Sequence, residues 1–144
     1  MFTTMVTPRF GDIDRLGHIN NVVLAGWFEL ARNPLFRIFD PHLGILNLGL
    51  SHLGIAEGTW PLIMAHTEFD FIDQLFFQPD IELRTCIGRI GVKSFTVCHE
   101  AWQEGRLCTK GKAVMVYFDF QKNRSAPLPD DKKKLLAEHQ SSTN

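Results

Sequence analysis

The chain reads as an α+β domain in which a largely antiparallel sheet packs on one long apolar helix. Three observations predict this: a nearly continuous apolar segment over residues 21–39, four later stretches with a period of two, and turn signals between those stretches. With 144 residues and 44% apolar content, one compact domain spanning 1–144 is expected rather than two. No internal repeat or linker-like stretch divides it.

An N-terminal strand is expected over roughly Thr3 to Phe10, running into the polar turn Phe10-Gly11-Asp12-Ile13-Asp14-Arg15-Leu16-Gly17-His18-Ile19-Asn20-Asn21. From about Asn21 to Phe39 the pattern is helical, with Asn20 or Asn21 as N-cap. Apolar residues from Val22 to Phe39 cover most of the helix circumference, and Glu29, Arg32, Asn33 and Arg37 leave only a narrow polar strip. Such a helix has to be buried on more than one side. Pro34 removes a backbone donor, so a kink or a break is expected there.

Residues 40–59, punctuated by Pro41, Gly44, Gly49, Gly54 and Gly58, read as loop with at most a short helical turn. Strands are then expected from Trp60 to Phe71, Asp80 to Ile90, Val92 to Trp102 and Leu107 to Phe120. Gln103-Glu104-Gly105-Arg106 is a hairpin signal joining the last two, and Arg89-Ile90-Gly91-Val92 turns the chain between the middle two. Asp130 to Glu138 places acids before lysines, which matches the dipole of a short terminal helix. One sheet covers only one side of an apolar helix, so self-association is expected to cover the other.

Composition narrows the function. Fifteen Lys and Arg against sixteen Asp and Glu leave a net charge of −1, without the basic footprint of a nucleic-acid binder. Cys86, Cys98 and Cys108 form no C-x-x-C pair and read as reduced core thiols. With no signal-peptide pattern and no apolar run of membrane-spanning length, a soluble cytoplasmic protein is expected.

Chemistry concentrates in the polar turn. An EF-hand reading fails because, counting from Asp12, Leu16 and Val23 occupy the fifth and twelfth positions, where oxygen ligands are needed. A zinc or iron site on Asp12, Asp14 and His18 is the weaker alternative, since no second histidine lies at helical or hairpin spacing. A plain turn accounts for the glycines and for a capping Asn, but it does not require a second carboxylate, a histidine and a spare Asn. Next to a helix start, unpaired N–H groups and the positive dipole end can polarise a carbonyl. The same field suits Asp14 to act as base or nucleophile, and together these describe acyl transfer. No G-x-S-x-G elbow and no Cys–His motif offers a competing nucleophile.

The motif Asp12-x-Asp14-x-x-Gly17-His18-x-Asn20-Asn21, followed by Trp27-Phe28-Glu29 and Ala31-Arg32, resembles the hot-dog-fold acyl-CoA thioesterases of the 4-hydroxybenzoyl-CoA thioesterase type. Lys93-Ser94-Phe95 and Pro127-Leu128-Pro129 are also similar to that family. The resemblance implies a curved antiparallel sheet wrapped around the helix, with sites at the interface of a homodimer or homotetramer. It implies hydrolysis of an acyl-CoA thioester without metal or cofactor. Asp14 matches the catalytic carboxylate and the backbone N–H near Asn21 the carbonyl-polarising group. Gly17, His18 and Asn20 match further motif positions beside the substrate. Glu29 and Arg32, spaced i, i+3, are expected to form an intrahelical ion pair. Leu24 departs from the family, where many relatives carry a tyrosine, and this alters the expected pocket wall. Twelve Phe permit a fatty or an aromatic acyl group. The alternatives on the same scaffold are an acyl-CoA hydratase or dehydratase, whose Asp and His spacing is not matched here, and a non-catalytic acyl-CoA-binding subunit.

Overall fold

The structure is a computed structural model and describes residues 1–39 and 61–142. Its strands are β1 (Phe2–Val6), β2 (Leu62–Phe71), β3 (Ile81–Ile90), β4 (Ser94–Gln103), β5 (Arg106–Asp119) and β6 (Arg124–Ser125). Its helices are α1 (Asn21–Ala31), α2 (Asn33–Phe36) and α3 (Asp130–Ala137), and a single 3₁₀ turn spans Phe10–Asp12. The sheet order is β1-β3-β4-β5-β2, every pairing is antiparallel, and β6 adds to β5. The α+β expectation therefore holds. The expectation for residues 40–59 lies outside the described residues.

The period-two pattern places the core. Along β4, Phe95, Val97, His99, Ala101 and Gln103 are buried and alternate with half-exposed Thr96, Cys98, Glu100 and Trp102. The matching inner residues of β3 are Ile81, Leu83, Thr85 and Ile87. Helix α1 lays Leu24, Trp27, Phe28 and Ala31 on this face, the i, i+3, i+4, i+7 stripe of an amphipathic helix. On its other face, Val22 is 79% and Leu30 54% exposed. Among the described residues, burial of α1 on several sides is thus not met.

The helix breaks where Pro34 requires. Arg32 serves as C-cap of α1 and N-cap of α2, and Pro34 falls in the first turn of α2, where its missing N–H goes unneeded. β1 stops at Val6, short of the expected Phe10, because Pro8 has no N–H to give a ladder. The β4–β5 hairpin turns on Glu104 and Gly105, whose φ values of 52° and 74° are the paired positive values of a type I′ turn. Of the cysteines, only Cys108 is buried. Cys86 and Cys98 lie half-exposed on the outer face, because their strand positions alternate with the core-facing ones.

Candidate active site

The polar turn folds into a small closed loop. Ile13 and Ile19 bridge in antiparallel fashion across it. The Asp14 N–H donates to the His18 carbonyl at 2.7 Å, and the Asp14 carbonyl accepts from the Gly17 N–H at 3.2 Å. Gly17 has φ +78°, a conformation that glycine adopts without steric cost. Ile19 N–H then donates to Leu75 O at 2.7 Å, and the His18 ring meets the Phe76 ring edge-on at 5.3 Å, which pins the loop to the β2–β3 connection.

The two aspartates do different work. Asp12 is buried, its Oδ2 accepts from the Arg9 N–H at 2.8 Å, and its carbonyl accepts from the Asn20 N–H at 2.8 Å. It organises the turn. Asp14 is exposed, and its Oδ1 accepts from the N–H groups of Leu16 at 2.8 Å and His18 at 3.1 Å. Among the described residues its Oδ2 has no hydrogen-bond partner, so one oxygen is fixed and the other faces outward. Among the described residues, no group of three or more His, Cys, Asp or Glu is placed to hold a metal ion, so Asp12, Asp14 and His18 do not converge on one.

The helix start sits immediately after this loop. Asn20 is the N-cap, its Oδ1 accepting from the Val22 N–H at 3.2 Å, which leaves Asn21 as the first helical residue. Among the described residues the Asn21 N–H has no acceptor, as expected for the first donor of a helix. All five candidate residues, Asp14, Gly17, His18, Asn20 and Asn21, thus lie in one loop and the first turn of α1.

Other residues differ from expectation. Leu24 is fully buried in the core beneath α1, so its side chain lines no exposed wall of this chain. Arg32 makes no ion pair with Glu29. It lies four residues beyond Phe28 on the buried stripe and turns inward, with its Nη1 3.3 Å from His99 Nε2 and its Nη2 3.8 Å from Met64 Sδ. A guanidinium only donates, so His99 Nε2 accepts and its Nδ1–H donates to Thr85 Oγ1 at 3.0 Å. Burial, and then the Arg32 charge, lowers the His99 pKa from 6.5 to about 3. His99 is therefore neutral in the folded chain, and the unfolded chain binds the extra proton first as pH falls. Stability is expected to fall between pH 6.5 and about 3. A His99→Gln variant should show a flatter melting-temperature profile across that window, and an identical profile would remove His99 as the cause.

Sequence reading also missed Gln103, taken only as part of a hairpin turn. It is buried; its Oε1 accepts from the Phe76 N–H at 2.8 Å, and its Nε2 donates to Phe76 O at 2.9 Å and Pro79 O at 2.6 Å. This clamp fixes the segment against which His18 and Ile19 are anchored. Its signal lay in the alternation of β4, which sets Gln103 in phase with Phe95, Val97 and Ala101.

A curled antiparallel sheet carrying a helix whose N-terminus meets a carboxylate-bearing turn is the hot-dog architecture of thioesterases. The comparisons agree: residues 8–136 match the thioesterase-like superfamily, and the chain belongs to that family. It is similar to a predicted thioesterase from Bacillus stearothermophilus, with 35% identity, 99% of this chain and 98% of that one covered, and a TM-score of 0.85. It is also similar to a thioesterase from Thermus thermophilus complexed with coenzyme A and Zn, at 25% identity, 94% and 91% coverage, and a TM-score of 0.76. A 4-hydroxybenzoyl CoA thioesterase mutant complexed with 4-hydroxybenzoyl CoA shares the fold at 19% identity, 94% and 97% coverage and a TM-score of 0.71. The chain is an enzyme of the thioesterase class. Among the described residues, no helix is long and apolar enough to cross a membrane.

Proposed function

We propose that the chain hydrolyses an acyl-CoA thioester to free CoA and a carboxylic acid, with Asp14 as the working carboxylate and the Asn21 N–H as the group that polarises the carbonyl. One observation carries this reading: Asp14 is held by two backbone N–H groups on one oxygen, in the loop that leads directly into the N-terminus of α1, where the Asn21 N–H has no acceptor among the described residues. As a general base, Asp14 takes a proton from water while the water oxygen attacks the thioester carbon. Negative charge then gathers on the carbonyl oxygen, where the Asn21 N–H and the helix dipole favour it. Collapse breaks the C–S bond, and the departing thiolate recovers the proton from Asp14. As a nucleophile, Asp14 would instead form an acyl anhydride that water cleaves. Gly17, His18 and Asn20 form the rim that the thioester meets.

The CoA assignment draws on the Thermus relative, which binds coenzyme A, and on a cleft in which Lys93, Lys122 and Arg124 outnumber the one acid, Asp119. That cleft lies at the far end of the sheet from the Asp14 loop, because Lys93 precedes β4 while Gln103 ends it. A homodimer brings the two together. Among the described residues β2 is a sheet edge with Ile63, Met64 and Phe71 exposed, and pairing two such edges antiparallel about a two-fold axis would set one protomer's cleft beside its partner's Asp14 loop. A homodimer, or a tetramer of such dimers, therefore completes the site. A sedimentation mass of one chain under assay conditions would defeat this part of the reading. With all three cysteines free, a reducing compartment such as the cytoplasm is the matching setting.

The deciding experiment is release of free thiol from short, long and aromatic acyl-CoAs. Turnover of at least one class is expected. Tight binding without turnover across the whole panel would leave a binding subunit instead, and hydration of an enoyl-CoA without hydrolysis would point to a hydratase.

A further inference from the structure

Cys86 and Cys98 face one another across β3 and β4 as direct register partners. Partners in an antiparallel ladder hold their Cα atoms about 4.5–5.5 Å apart, inside the range of about 4.4–6.8 Å that a disulfide spans. Both lie half-exposed on the outer face, whereas Cys108 is buried. Gly88 leaves room beside them: a Cβ there would sit 3.0 Å from Cys98 Sγ.

The two sulfurs are not equivalent. The C-terminal segment docks along β3, with Ile87 N–H donating to His139 O at 2.9 Å and Ser141 N–H donating to Ile87 O at 2.8 Å. This brings Ser141 within hydrogen-bonding reach of Cys86, whose thiol also bonds Cys98. The hydrogen bond from Cys98, supported by Ser141, lowers the Cys86 pKa to about 7. The same bond, together with burial, pushes Cys98 up, so the pair favours the thiolate on Cys86 over Cys98. On the other side, Cys98 is the register partner of Lys112, whose Nζ lies 3.8 Å from Glu68.

We propose that Cys86 and Cys98 form a peroxide-reactive dithiol on the outer face of the sheet, a modification site in which Cys86 attacks and Cys98 resolves. The Cys86 thiolate attacks one oxygen of a hydroperoxide and the O–O bond breaks. Cys86 becomes a sulfenic acid, and the leaving oxygen takes a proton from solvent and departs as water or an alcohol. Cys98 sulfur then attacks Cys86 sulfur, the S–OH bond breaks, and the hydroxide leaves as water with the Cys98 proton. The net change is two thiols oxidised to one disulfide and one hydroperoxide reduced. The proposal does not rest on the reading of the Asp14 loop.

Hydrogen peroxide on the purified full chain tests it, read by intact mass and by peptide mapping after alkylation of free thiols. The expected result is loss of two hydrogens, a peptide linking Cys86 to Cys98 within one chain, and full reversal by dithiothreitol, with Cys108 untouched. Cys98→Ser should stop at the sulfenic acid, which dimedone traps on Cys86, and Cys86→Ser should give no adduct at Cys98. Absence of the linked peptide at peroxide levels that oxidise a free cysteine peptide would overturn the proposal. So would a link between two chains, or a dimedone adduct on Cys98 in the Cys86→Ser protein.

Discussion

Replacing Asp14 by Asn should abolish most thioester hydrolysis while leaving the fold intact. Asn keeps an oxygen able to accept from the Leu16 and His18 N–H groups, so the loop retains both of the bonds that shape it. What disappears is the outward oxygen: an NH2 group there can neither take a proton from water nor attack a carbonyl. Removing a positioned base or nucleophile costs about 10²- to 10⁴-fold in rate. Free-thiol release from the best acyl-CoA of the panel should fall by that amount, with a melting temperature close to that of the parent. A folded Asp14→Asn protein with undiminished turnover would take Asp14 out of the mechanism. The same loss accompanied by unfolding would show only that the Asx-type bonds hold the turn together.

The polar turn and the Asn cap at the helix start were legible in the sequence because the loop is local: its bonds connect residues two to four apart. The break at Pro34 and the hairpin at Glu104-Gly105 were legible for the same reason, since proline chemistry and turn geometry act within a few residues. Arg32 is the counterexample. Its spacing from Glu29 suggested an intrahelical ion pair, yet it turns inward to His99, 67 residues away on a neighbouring layer, and no local pattern specifies that meeting. Gln103 and the Cys86–Cys98 pair failed differently. Strand alternation assigns them to faces once the phase is known, but both faces of β3 and β4 carry apolar residues, so the sequence left the phase open.

The largest effect on stability is expected where Phe28 meets Gly111. Phe69, Gly111 and His99 form one cross-strand row through β2, β5 and β4, and the Phe28 ring lies over it, stacked on Phe69 at 5.9 Å and on His99 at 4.7 Å. A Cβ on Gly111 would sit 2.7 Å from Phe28 Cε2 and 2.8 Å from Cδ2, closer than real contacts allow. The ring has no room to retreat, because Phe28 is 1% exposed and both of its stacking partners are fixed in strands. Gly111→Ala should therefore destabilise by about 1–3 kcal/mol through overpacking, and Phe28→Ala by about 3–5 kcal/mol through the cavity it leaves. The double variant discriminates between this account and a generic loss of strand propensity. With the ring gone, the added methyl enters empty space, so the cost of Gly111→Ala should largely vanish in the Phe28→Ala background. Denaturant midpoints of the four proteins measure the coupling. Strictly additive losses would mean that Gly111 is needed for something other than the seat of Phe28, one of the residues that hold α1, and with it the Asn21 N-terminus, against the sheet.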